Sequence, residues 1–185
     1  MLWFWTSVAL LANLSTLSSA SALIPRVTVD PQTCVGYEKY IGIHDTLHSY
    51  SPACASVTNS CLKENGTSIW SHHQCVAAAA CQGTTSVITL NQCQNPNVHT
   101  SGSIPNLSGS IYANIVGSCA SSGCPITQQN FIDFVYGAMS TANVTQWPSS
   151  VDDVLAWWKP ILDWTKTGDT IPYTNFNDWL HWSNS

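Results

Sequence analysis

The chain has 185 residues, of which only 8 % are charged, and ten acids stand against five Lys and Arg for a formal net charge of -5. Phosphate neutralisation needs clustered Lys and Arg, so this composition argues against a nucleic-acid binder and equally against a polybasic membrane-surface module. A hydrophobic content of 44 % is enough to build a core, which rules out disorder as a global description, and the length suits one domain.

Residues 1 to 22 carry no charged side chain. Leu2, Trp3, Phe4, Trp5 and the run Val8 to Ala12 form an apolar stretch that ends in the small residues Ser18 to Ala22. This pattern predicts a secretory signal peptide cleaved after Ala22, leaving residues 23 to 185 as a single disulfide-rich helical domain outside the cell. A membrane anchor is the rival reading, but Thr6, Ser7, Asn13 and Ser15 interrupt the stretch and it falls short of the roughly 20 residues a span requires. No later segment approaches a transmembrane length.

Eight cysteines follow: Cys34, Cys54, Cys61, Cys75, Cys81, Cys93, Cys119 and Cys124. An even count in a secreted chain predicts four disulfides, whose pairing the spacing leaves open. No C-x2-C pair occurs, so a thiolate metal site is not supported, and no cofactor is implied. Sequons at Asn65, Asn106 and Asn143 predict surface N-glycans, which would supply the solubility that charge does not.

The helices are read in chain order. Asp30 and Pro31 open a first one carrying Cys34, Tyr37, Ile41 and Leu47, weakened by Gly36 and Gly42. Ser51 and Pro52 open a second that runs to Asn65-Gly66, and a third spans Ile69 to Gln82, where Ala77 to Ala80 have the highest helix propensity. Val87, Ile88 and Thr89 are β-branched and suggest a short extended piece. Residues 94 to 110 read as a surface connection. Ser108 caps a helix carrying Ile111 to Cys119, and Thr127 caps one whose Phe131, Phe134, Val135, Ala138 and Met139 form an unbroken amphipathic stripe. Ser150 with Asp153 resembles a capping box opening a run in which Pro160 should produce a kink or a split, and a last helix fits Asn175 to Trp182 with Thr174 as its cap. The expected fold is all-α, with about seven helices and little or no strand.

Three features bear on function. Trp147, Trp157, Trp158, Trp164, Trp179 and Trp182 fall within 36 residues. Sugars pack their C–H faces on indole rings, so Trp157, Trp158, Trp164, Trp179 and Trp182 are candidate glycan-binding residues; the competing reading is that they build the core. Adjacent Trp157 and Trp158 lie about 100° apart on a helix, so one of the two should approach the surface. The second feature is His44, Asp45 and His48, with His72, His73 and His99 further on. On a helix over 31 to 49, His44 and His48 would share a face, as a metal or general base requires; hydrogen-bonded surface histidines are the alternative. The His44-Asp45 dipeptide resembles the active-site helix of secreted phospholipase A2 proteins, which implies a small hydrolase using His44, Asp45 and His48, although flanking cysteines and a glycine-rich calcium loop are missing here. The third is a glycosidase dyad drawn from Glu38, Glu64, Asp133, Asp152, Asp153, Asp163, Asp169 and Asp178, which would need two carboxyls roughly 5 to 10 Å apart. No G-x-S-x-G is present.

The strings PITQQNFIDFVYGAM, WPSSVDDVLAWWKPILDWTKTGDTIPY and NFNDWLHWSNS are similar to those of small secreted cysteine-rich proteins of basidiomycete fungi. That resemblance covers about the last 60 residues and implies residence outside the cell and contact with a host or substrate surface, with no catalytic residue carried over. The sequence thus leads to a secreted glycoprotein that binds cell-wall or host glycans, with the small hydrolase as alternative and a surface-coat protein as a further one.

Overall fold

Helix starts follow the caps written in the sequence. In the computed structural model, which describes residues 28–43, 49–64 and 66–184, the Asp30 carboxylate accepts from the Thr33 amide at 3.0 Å and opens α1 (Pro31–Lys39). Ser51 accepts from the Cys54 amide at 3.2 Å to open α2 (Pro52–Cys61). Then come α3 (His73–Gln82), α4 (Thr84–Gln94), α5 (Gly109–Val116), α6 (Gln128–Thr141), α7 (Val151–Thr165) and α8 (Tyr173–Trp182). Thr127 and Asn130 form a complete capping box on α6, and Ser150 and Asp153 form another on α7. Among the described residues there are eight α-helices, three short 3-10 turns and only two isolated β-bridges, Ile43–Tyr50 and Ile126–Ile171. The fold is all-α.

Several expectations about the elements are corrected. The first helix ends at Lys39 rather than near residue 49, because Gly42 turns the chain at φ +87°. Ile69–Ser71 is a separate 3-10 turn before α3. Val87, Ile88 and Thr89 lie inside α4, where burial of Val87, Ile88 and Leu90 outweighs their β preference. The helix expected to reach Cys119 stops at Val116, where Gly117 takes φ +72°, and continues as a 3-10 turn. Pro160 sits inside an unbroken α7, and α8 starts at Tyr173 rather than Asn175. The 94–110 connection is anchored by buried Val98, Ile104 and Leu107, and α8 holds it: the Tyr173 hydroxyl donates to Leu107 O at 2.7 Å and Asn177 Oδ1 accepts from Leu107 N at 2.9 Å.

At the centre is α3. Every residue from Cys75 to Gln82 is buried, and the helix packs against α2, α4, α6 and α7. A helix apolar on all sides is stable only when surrounded, and four successive alanines let the neighbouring backbones come close. One hydrophobic cluster runs from Ala53 to Leu180 and includes the predicted α6 stripe in full.

All eight cysteines are paired. Cys54–Cys81 and Cys61–Cys75 join α2 to α3. Cys54 and Cys61, seven residues apart, lie on one face of α2, and Cys81 and Cys75 meet them in reverse order, so both bridges form across one antiparallel helix pair. Cys34–Cys93 ties α1 to α4, and Cys119–Cys124 closes a five-residue link after α5. No helix among the described residues is long and apolar enough to cross a membrane. The expected signal peptide over residues 1 to 22, the set His44, Asp45 and His48, and Asn65 lie outside the described residues.

Candidate functional site

A cleft of about 640 Å³ opens where the start of α2, the end of α3 and the first half of α7 meet. Ala53, Ala80 and Cys81 are its buried apolar floor. One wall is α7, through Asp153, Ala156, Trp157 and Pro160; the other is the turn at Gly42 with Ser49, Tyr50, Ser51 and Pro52. Trp147, Pro148 and Ser149, from the link between α6 and α7, close one end. This volume lies within the usual range of small-molecule sites, about 300 to 1,000 Å³.

The walls are positioned by buried polar contacts. Gln82, almost fully buried at the end of α3, accepts from the Gly42 amide at 2.5 Å and donates to Tyr40 O at 3.1 Å, which docks the turn beside the cleft. Gly42 has no room for a side chain: a Cβ there would lie 2.9 Å from Ala55 Cβ and from the Tyr50 ring. Trp147 stacks on Tyr136 with centroids 6.1 Å apart and planes within 13°, yet remains 45 % exposed. Trp157 is half-buried against the core and Tyr50 is 61 % exposed. The Asp153 carboxylate is occupied by the capping box, accepting from Ser149 N at 2.7 Å and Ser150 N at 3.2 Å. No Lys or Arg lines the cleft, and Asp153 is its one carboxylate among the described residues.

The five tryptophans singled out in the sequence do not share one surface. Trp158 and Trp179 are each 2 % exposed, in the core, with Trp158 against Phe131 and Trp179 against Phe176. Trp157 lines the cleft, so the adjacent pair divides between core and surface as the helical angle requires. Trp164 is exposed further along α7, and Trp182 is exposed on α8 with its ring edge over Gly102. Trp147 and Tyr50 are cleft aromatics outside the five candidate tryptophans. Trp147 stood within the aromatic-rich stretch, whereas Tyr50 reaches the cleft through a fold contact that no local signal announces.

Other chemistry-bearing groups lie elsewhere. His72 Nδ1 sits 3.2 Å from Glu64 Oε2, and Gln74 donates to the other oxygen of Glu64, linking the end of α2 to the start of α3. Burial, and to a smaller extent His72, holds the His73 imidazole below its ordinary range. Burial pushes the Tyr112 phenol up, where it donates to Cys124 O, and the Lys159 hydrogen bond holds exposed Asp163 down. His181 is buried between Asn177 O and Ile104 O, at 2.7 and 3.0 Å. Among the described residues no three His, Cys, Asp or Glu side chains gather as a metal site. Asn106 and Asn143 are both exposed, Asn143 at φ +51° just beyond α6. Comparison of the chain with protein-family models, with curated proteins and with solved structures finds no match.

Proposed function

We propose that this protein is a secreted, N-glycosylated binding protein whose ligand site is the Trp147–Trp157 cleft and whose ligand is a cell-wall or host glycan. One observation carries the reading: two partly exposed indoles and a tyrosine line a preformed cleft in which, among the described residues, there is no Lys or Arg and the one carboxylate is already hydrogen-bonded to backbone. Such a site suits an uncharged ligand with apolar faces, because indole rings supply area for stacking while the serine hydroxyls of the lining supply hydrogen bonds. Four disulfides support residence in an oxidising compartment, as does the apolar N-terminal stretch. Exposure of Asn106 and Asn143 supports glycosylation, and the resemblance to small secreted fungal proteins supports contact with a surface outside the cell.

The experiment is retention on insoluble chitin, cellulose and β-1,3-glucan, comparing the wild type with the double variant Trp147→Ala, Trp157→Ala. Retention of the wild type on one of these polymers and release of the variant is the expected result; equal behaviour on all three ends the proposal. A second reading, a small hydrolase using His44, Asp45 and His48, is favoured by one observation: Gly42 and Ser49, which flank that segment in sequence, both line the cleft. Ester or phospholipid hydrolysis that disappears in His44→Ala would establish it.

A further inference from the structure

The cleft wall on α7 continues beyond the cleft. Asp153, Ala156, Trp157 and Pro160 recur at steps of three and four residues, and the same series reaches Trp164 next. At 3.6 residues per turn all five lie within an arc of about 100°, set roughly 110° around the helix from the core stripe of Val154, Trp158, Ile161 and Thr165. Trp164 is 41 % exposed and so extends the aromatic wall outward as a rail. Seven residues separate the two indoles, a rise of about 10.5 Å along the axis. That distance matches two pyranose rings in an extended β-1,4-linked chain, in which every second ring presents the same face to the same side.

Pro160 lies on the stripe between the two indoles. It has no N–H to give the Ala156 carbonyl, and its ring adds an apolar face to this wall. A proline inside a helix is costly, yet α7 stays unbroken around it. The order indole, proline ring, indole thus makes a continuous apolar strip along which the C–H faces of a sugar chain can lie. Among the described residues no Lys or Arg lines the cleft and Asp153 is already engaged, while beside the outward extension Asp163 is paired with Lys159, so the complement is uncharged.

We infer that Trp157 and Trp164 are successive platforms of one binding rail that selects linear, uncharged β-1,4-linked oligosaccharides over curled α-linked ones. The inference rests on the reading of the cleft as a glycan site and adds the linkage class and Trp164.

Titration calorimetry with cello- and chito-oligosaccharides from disaccharide to hexasaccharide, and with malto-oligosaccharides for comparison, tests it. The wild type should bind the β-1,4 hexasaccharide of one series more tightly than its disaccharide. Trp164→Ala should weaken the hexasaccharide about tenfold, leave the disaccharide unchanged, and regain most of the loss when the residue is Phe instead. Melting temperatures equal to the wild type establish that the variants fold. Equal affinity for short and long chains, no effect of Trp164→Ala, or equal binding of malto-oligosaccharides overturns the rail while leaving the cleft in place. Absence of binding by every sugar, with no change in tryptophan fluorescence, overturns both.

Discussion

Breaking the Cys34–Cys93 bridge should cost more than breaking Cys119–Cys124, and in a different place. The outer bridge spans 59 residues, but Cys54–Cys81 short-circuits that loop, leaving 20 residues from Cys34 to Cys54 and 12 from Cys81 to Cys93 in the unfolded chain. Chain entropy for a loop of that effective size is worth about 3.7 kcal/mol, against about 2 kcal/mol for the five-residue loop of Cys119–Cys124. α1 has no fully buried residue of its own, so after the double change Cys34→Ser, Cys93→Ser only its partly buried packing on α4 and the contacts of Gln82 at its end keep it docked. Denaturant unfolding should show the loss, and for a domain of this size Tm should fall by about 7 to 15 °C. Hydrogen exchange should show the α1 amides losing protection while α3 stays slow. The reasoning fails if Cys119→Ser, Cys124→Ser costs as much, or if α1 stays as protected as in the wild type.

Three further substitutions probe the supports of the fold and the cleft. Gly42→Ala places an alanine at φ +87° with its Cβ against Ala55 and Tyr50; it should cost about 1 to 3 kcal/mol in chemical unfolding and weaken ligand retention, and unchanged values of both would contradict the docking of this turn. Ala78→Leu puts three extra carbons into the fully buried face of α3 and should lower the denaturation midpoint by the equivalent of about 1 to 3 kcal/mol or prevent folding; a neutral result would mean α3 is not enclosed. His73 is held below its ordinary range, so the unfolded chain takes up its proton first as pH falls. Its contribution to stability is full above about pH 6.5 and is lost as the pH drops below that value, so His73→Gln should flatten the decline of Tm on acidification; an unaltered slope would refute this.

Local signals carried much of this fold. The caps at Asp30, Ser51, Thr127 and Ser150 lie where short polar side chains precede proline or an apolar run, and each is used. The stripe from Phe131 to Met139 is buried throughout, since amphipathic spacing reports one face directly. What escaped was decided by contacts distant in sequence. Val87 and Ile88 are helical because α4 packs on α1 and α3, and propensity is silent about such partners. The bridge pattern needed α2 and α3 to be known as an antiparallel pair. Function was harder to read still: aromatic density marked the right third of the chain, but only the packed structure separates core Trp158 and Trp179 from cleft Trp157, and brings Tyr50 to Trp147 across nearly one hundred residues.

The most direct measurement follows the indole N–H resonances of the folded protein during titration with cello- and chito-hexaose. A ligand held by the cleft and its rail should move the signals of Trp147, Trp157 and Trp164 together while those of Trp70, Trp158 and Trp179, sealed in the core, stay fixed. Shifts confined to Trp182, or no shift of any indole at saturating sugar, would contradict the account.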